Sequence, residues 1–104
     1  MKQTKANKVW FVTGASRGFG VEVAQVALKR GDFVVATARN PQTVTDALGD
    51  HPNLLAVKLD VTREADAVAA AKLATERFGR IDVLVNNAGY GLLGAVEEAS
   101  AEEV

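Results

Sequence analysis

The chain has 104 residues, 24% of them charged, and a formal net charge of −1. This length suits one small domain, and the interspersed charges exclude a polybasic surface for nucleic acid or membrane. The sequence has no cysteine, which excludes disulfides, thiolate metal sites and cysteine nucleophiles. Because no apolar run approaches the roughly 20 residues of a membrane span and no signal-peptide core precedes the first strand, we expect a soluble, cytoplasmic protein.

Strands and helices alternate along the predicted chain. In chain order, the apolar pattern predicts strand Lys8–Val12, helix Phe19–Arg30, strand Phe33–Thr37, helix Pro41–Leu48, strand Leu54–Leu59, a helix that follows Thr62 and ends at Gly79, and strand Ile81–Val85. In the first helix, helical spacing selects Val23, Val26, Ala27 and Arg30, and Asn40 and Thr62 are the predicted N-caps of the other two. Strands joined by helical crossovers pair in parallel, so we predict an open, doubly wound α/β sheet.

A glycine-rich turn separates the first strand from the first helix. It reads Thr13-Gly14-Ala15-Ser16-Arg17-Gly18-Phe19-Gly20. A strand followed by such a turn and a helix N-terminus binds a pyrophosphate, because main-chain N–H groups and the helix dipole favour negative charge there. Gly14 supplies the tight turn, Gly18 lets a phosphate approach the main chain, and Gly20 lets helix and strand pack closely. The glycine spacing differs from the Gly-x-Gly-x-x-Gly fingerprint, but its position predicts a dinucleotide site.

Three motifs together resemble those of the short-chain dehydrogenase/reductase family. They are the glycine-rich turn, Asp60-Val61 after the third strand, and Asn86-Asn87-Ala88-Gly89 after the fourth. All follow predicted strands, at the end where ligands bind in open α/β sheets. The resemblance covers nearly the whole chain but only the N-terminal part of the family's usual length. It implies a Rossmann-like sheet in strand order 3-2-1-4, truncated after the fourth strand, so we expect residues 1–104 to form one partial NAD(P)-binding domain without a second domain.

The resemblance also implies which residues bind the cofactor. Those around the pyrophosphate and the adenosine ribose would be Gly14, Ser16, Arg17, Gly18, Phe19 and Gly20. Asp60 would accept a hydrogen bond from the adenine amino group, and Val61 would add main-chain and apolar contacts. Asn87, Ala88 and Gly89 would pass beside the cofactor ribose. A loop-connecting amide is an equal alternative for Asn87 and the favoured one for Asn86, and Thr13 is interpreted as a hydroxyl at the sheet end.

The end of the second strand predicts the type of nicotinamide cofactor. Proteins that prefer NAD place Asp or Glu there, about 20 residues after the glycines, to accept the ribose 2′-OH. Here the sequence reads Thr37-Ala38-Arg39-Asn40, and Asp32 lies at the other end of the strand. Arg39 can donate to a 2′-phosphate, and Arg17 can approach the same phosphate. We therefore expect NADP(H) rather than NAD(H); the alternative is that both arginines are solvated surface residues.

The family's catalytic residues cannot be assembled from this sequence. The resemblance implies hydride transfer to or from a small carbonyl/alcohol substrate through a Ser and a Tyr-x-x-x-Lys pair. Gly94 stands four residues after Tyr90, the only tyrosine, and no lysine follows Lys72. We therefore expect the cofactor-binding part of an oxidoreductase with no catalytic and no metal-binding residue, the complete protein being a homo-oligomer. The alternatives are a non-catalytic dinucleotide-binding module and an inactive truncated product. His51, the lone histidine, is expected on a surface loop.

Overall fold

The seven secondary-structure elements follow the predicted order. A computed structural model of the chain describes residues 7–16 and 18–87. Within them lie β1 Val9–Val12, α1 Gly18–Lys29, β2 Phe33–Ala38, α2 Pro41–Leu48, β3 Leu54–Lys58, α3 Glu64–Phe78 and β4 Val83–Val85. All strand pairs are parallel, in the order β3-β2-β1-β4. This confirms the predicted doubly wound α/β sheet and its strand order.

The register of the sheet aligns the carboxyl ends of its strands. Val12, the last residue of β1, is paired with Ala36 of β2 and with Val85 of β4. Beyond β3, the main-chain N–H of Leu59 donates to the carbonyl oxygen of Ala38 at 2.9 Å. The residues that follow the four strands therefore share one edge of the sheet, which we name the carboxyl edge.

Helices bury both faces of the sheet. On one face, α1 and α2 pack against the strands through a cluster that contains Val12, Ala24, Ala27, Val34, Ala36 and Val44. On the other face, α3 packs through a cluster that contains Val9, Phe11, Val35, Val57, Ala67, Ala71 and Ala74. Because both faces are covered, the central strands are apolar without alternation, as in other parallel sheets.

The two predicted N-caps had different outcomes. Asn40 caps α2, since its side-chain oxygen accepts the main-chain N–H of Gln42 at 3.1 Å. The prediction that Thr62 caps α3 was wrong. Arg63 occupies the N-cap position and makes no side-chain capping bond. The hydroxyl of Thr62 donates to Asp60 instead, because α3 begins one residue later than its sequence pattern indicates.

The residues that helical spacing selects in α1 do not all face the core. Val26 is 57% exposed, whereas Ala24 and Leu28 are buried. The start of β4 differs as well, since the strand begins at Val83 rather than at Ile81. Before it, the carboxylate of Asp82 accepts the main-chain N–H of Val9 at 2.8 Å. The remaining bounds differ from the predicted ones by no more than one residue.

Candidate functional site

The turn between β1 and α1 depends on its glycines. Gly14 and Gly18 have φ angles of 64° and 62°, in the left-handed region that other residues rarely adopt. A Cβ atom on Gly20 would overlap the carbonyl oxygen of Gly14 and lie 3.0 Å from its carbonyl carbon. The close contact expected at Gly20 is therefore made between α1 and the turn after β1. Only glycine lets α1 begin this close to that turn.

The described residues leave space beside Gly18 at the N-terminus of α1. A Cβ atom on Gly18 would have no described atom within 4 Å. The first turn of α1 carries no acidic residue, and Phe19 is 61% exposed. An anion at this position would meet the positive end of the helix dipole without an opposing carboxylate from that turn.

Thr13 connects the glycine-rich turn to the segment after β4. Its hydroxyl oxygen accepts the main-chain N–H of Asn87 at 2.8 Å and lies 3.2 Å from the side-chain oxygen of Asn86. The side-chain amide of Asn87 donates to the carbonyl oxygen of Gly14 at 3.3 Å. The structure thus gives Thr13 and both asparagines a loop-connecting role. A cofactor contact by Asn87 stays a prediction.

Two further hydrogen bonds fix the turn against β2. The main-chain N–H of Ala15 donates to the carbonyl oxygen of Thr37 at 3.0 Å. The buried hydroxyl of Thr37 donates to the carbonyl oxygen of Val12 at 3.2 Å. Arg39 follows β2 as an exposed residue. Since β2 lies between β1 and β3, Arg39 stands on the carboxyl edge between the glycine-rich turn and Asp60.

Asp60 is held by hydrogen bonds at its main chain and at its side chain. Its Oδ1 atom accepts the hydroxyl of Thr62 at 2.7 Å and the main-chain N–H of Thr62 at 2.9 Å. Its own N–H donates to the carboxylate of Asp66 at 3.0 Å. The Thr62 hydroxyl, then the Thr62 N–H, lower the pKa of Asp60, with smaller contributions from the charges of Arg39 and Arg63. Asp60 is therefore an anionic acceptor at neutral pH.

The carboxyl edge brings the described candidate residues together. They are Gly14, Ser16, Gly18, Phe19, Gly20, Arg39, Asp60, Val61 and Asn87. Three other candidates, Arg17, Ala88 and Gly89, lie outside the described residues. Sequence reasoning missed the contact of Thr62 with Asp60. The spacing Asp-x-Thr was a signal for it, because aspartate side chains often accept the N–H two residues further on.

Asp32 and His51, two titratable residues considered in the sequence, lie away from this site. Asp32 precedes β2, at the opposite edge, and its carboxylate accepts the indole N–H of Trp10 at 2.9 Å and the main-chain N–H of Lys8 at 3.2 Å. His51 lies in a loop, where its Nδ1 atom accepts the N–H of Asn53 at 3.1 Å. The described part of the chain holds no group of three His, Asp or Glu side chains placed for a metal ion. None of its helices is both long and apolar enough to cross a membrane.

The sequence is similar to a large enzyme family. The family model of the short chain dehydrogenases matches residues 8–104. Oxidoreductase BOA17 of Botryotinia fuckeliana is 44% identical over 98 residues, which cover 92% of this chain and 36% of that protein. The chain spans about a third of the length of the curated relatives it matches.

Solved structures share the fold. A short-chain dehydrogenase from Streptomyces avermitilis superposes with a TM-score of 0.83 at 32% identity, over 94% of this chain and 45% of that one. The 3-ketoacyl-(acyl-carrier-protein) reductase from Brucella melitensis, crystallised with NADH, superposes with a TM-score of 0.73 at 41% identity. That match covers 81% of this chain and 35% of the reductase.

Proposed function

The chain belongs to the short-chain dehydrogenase family, and we propose that it is the cofactor-binding part of an NADP(H)-dependent oxidoreductase. The whole protein would transfer a hydride between the nicotinamide and the carbonyl or alcohol group of a small substrate. When bound, the dinucleotide supplies or accepts the hydride. The residues described above would bind its adenosine diphosphate half.

The observation that carries this proposal is the glycine-rich turn at the start of α1. Gly14 and Gly18 adopt left-handed backbone conformations, and Gly20 lies against the carbonyl group of Gly14. The described residues leave space beside Gly18 at the helix N-terminus, where main-chain N–H donors and the helix dipole would favour a pyrophosphate. Ser16, Arg17 and the exposed ring of Phe19 belong to the same proposed site.

The adenosine would lie over the ends of β2 and β3. Asp60, anionic at neutral pH, would accept the exocyclic amino group of adenine, and Val61, 38% exposed, would add an apolar contact. Asn87, Ala88 and Gly89 would pass beside the cofactor ribose. This arrangement follows the rule that ligands bind at the carboxyl ends of strands in open α/β sheets.

Arg39 supports NADP(H) over NAD(H). It stands exposed at the end of β2, where an acidic residue would favour the free ribose 2′-OH, and its guanidinium can donate to a 2′-phosphate. A related reductase was crystallised with NADH, which makes NAD(H) the competing cofactor for the binding experiment.

A non-catalytic dinucleotide-binding module, or an inactive truncated product, is the alternative proposal. Sequencing the coding DNA beyond Val104 separates the proposals. An open frame with a Ser and a Tyr-x-x-x-Lys pair supports the oxidoreductase, and a stop codon supports the alternative.

Location and assembly are part of the same proposal. We place the protein in the cytoplasm, which the cysteine-free sequence fits, and expect the complete protein to form a homo-oligomer. Cell fractionation and light scattering test these two points.

Nucleotide binding tests the function of the chain directly. We would titrate the 104-residue chain with ADP-ribose and with its 2′-phosphorylated form, and with NADPH and NADH, by calorimetry. The 2′-phosphorylated ligands should bind at least about tenfold more tightly, the effect of one charge-assisted hydrogen bond. Equal affinities would contradict the NADP(H) assignment, and a folded chain that binds none of these ligands would contradict the dinucleotide site.

A further inference from the structure

Thr62 makes two hydrogen bonds to a single oxygen atom. Its hydroxyl and its main-chain N–H donate to Oδ1 of Asp60 at 2.7 and 2.9 Å. Thr62 is exposed, so these bonds do not satisfy a buried polar group that would otherwise be costly. Their main physical effect is to fix the orientation of the carboxylate.

The main chain of Asp60 is held by hydrogen bonds to Arg63 and Asp66, at the start of α3. The N–H of Asp60 donates to Asp66 in the first turn of α3, and its carbonyl oxygen accepts the N–H of Arg63 at 2.9 Å. With the main chain held, the remaining freedom is rotation of the carboxylate, whose terminal torsion is intrinsically broad. The Thr62 bonds restrict that rotation.

Two positive charges also act on this carboxylate. The guanidinium groups of Arg39 and Arg63 both attract Asp60. Without the Thr62 bonds, neither oxygen of the carboxylate would be bonded to a described donor. With them, Oδ1 is engaged and Oδ2 is left as an acceptor to which no described donor is bonded.

We propose that Thr62 is a positioning residue that orients the carboxylate of Asp60 to accept the exocyclic amino group of a bound adenine. The inference rests on the proposed function, which assigns Asp60 to adenine. Thr62 acts before the ligand arrives, because a carboxylate already held in place loses less conformational freedom on binding. It thereby contributes to recognition of the base without touching it.

The test compares variants that differ in the hydroxyl alone. Thr62→Val keeps the branched shape and removes the hydroxyl donor, whereas Thr62→Ser keeps the donor. Thr45→Val is the matched control, because the hydroxyl of Thr45 donates at 3.0 Å to the carbonyl oxygen of Gln42 on α2. The ligands are NADP⁺ and its hypoxanthine analogue, in which an oxygen acceptor replaces the amino group that Asp60 would bind.

Two readouts identify positioning. In Thr62→Val, the affinity for NADP⁺ should fall about fivefold, because one of the hydrogen bonds that orient the carboxylate before binding is lost. The affinity for the hypoxanthine analogue should stay unchanged. NMR titration of the ligand-free chain should show the pKa of Asp60 moving up toward its ordinary value. Thr62→Ser and Thr45→Val should match the wild type in both readouts.

Each contrary outcome has a distinct meaning. If Thr62→Val weakens both nucleotides equally, or neither, Thr62 is only a structural residue and the inference is wrong. If the wild-type chain binds neither nucleotide while Thr62→Val still raises the pKa of Asp60, the proposed function fails. In that case the Thr62 contact is real, but the role in adenine recognition is overturned with the adenine site.

Discussion

The hydroxyl oxygen of Thr13 and the main-chain nitrogen of Asn87 are 2.8 Å apart, although 74 positions separate the two residues in the sequence. This hydrogen bond joins the turn after β1 to the segment after β4. The side-chain amide of Asn87 adds a bond to Gly14, inside the glycine-rich turn. Hydrogen bonds therefore join the segment proposed for the pyrophosphate to the segment proposed for the cofactor ribose.

Removing the hydroxyl of Thr13 should destabilise the protein. Thr13 is buried, so Thr13→Val would leave the N–H of Asn87 without its acceptor. We expect the free energy of unfolding to fall by about 1 to 2 kcal/mol, the net contribution of the hydrogen bonds that the Thr13 hydroxyl makes to Asn87 and Asn86. Thr13→Ser keeps the acceptor and should lose only about 1 kcal/mol through its missing methyl group. A Thr13→Val variant as stable as the wild type in urea denaturation would show that the hydroxyl contributes nothing.

Gly18 and Gly31 provide a matched pair for the pyrophosphate site. Both have positive φ angles, 62° and 87°, and a Cβ atom on either would meet no described atom within 4 Å. Replacing either glycine with alanine should therefore lower the free energy of unfolding by about 1 kcal/mol through backbone strain. Only Gly18 stands at the N-terminus of α1, so Gly18→Ala alone should also weaken binding of ADP-ribose, by about tenfold or more. Loss of affinity in Gly31→Ala as well would point to a general folding defect.

The sequence predicts the helices and strands well where their apolar pattern determines them. It predicts their bounds less well where the backbone conformation of a single residue determines where a helix begins. Thr62 stands two residues after Asp60 and just before α3, a position that suits both a helix N-cap and a side-chain bond to Asp60. The extended backbone of Arg63, with φ −122° and ψ 107°, settles the choice. A one-residue shift of this kind is below what periodicity resolves.

Contacts between distant segments were the least predictable part of the site. The bond from Asn87 to Thr13 depends on β4 lying beside β1, and that pairing was implied by the family resemblance rather than by the apolar pattern. The contact of Trp10 with Asp32 likewise depends on the strand register, which the sequence does not reveal. The glycine-rich turn was predictable because its chemistry is local.

The pH dependence of Asp60 follows from its lowered pKa. A group whose pKa is lower in the folded protein stabilises the fold above its unfolded pKa, about 3.9 for aspartate. That contribution should decrease as the pH falls from there through the lower folded pKa. Adenine binding should decrease with it, because a protonated carboxyl loses its anionic acceptor. Carboxyl NMR measures the titration, and Asp60→Asn should remove the contribution of this carboxyl to the pH dependence, leaving that of the adenine ring, which also takes up a proton in acid. An Asp60 pKa at or above 3.9 would contradict the structure.

Arg39 should determine the preference for the 2′-phosphate. We expect Arg39→Ala to weaken NADPH binding about 10- to 100-fold, the range for hydrogen bonds to charged groups, and to leave NADH binding unchanged. Arg39→Asp should go further and favour NADH, because the new carboxylate repels the phosphate and can accept the free 2′-OH. Arg30→Ala is the control, since Arg30 is exposed and lies 4.0 Å from Asp32, at the opposite edge of the sheet. Calorimetry with both cofactors measures the ratio of affinities. If Arg39→Ala leaves that ratio at its wild-type value, Arg39 is a solvated surface residue and the cofactor preference is set elsewhere.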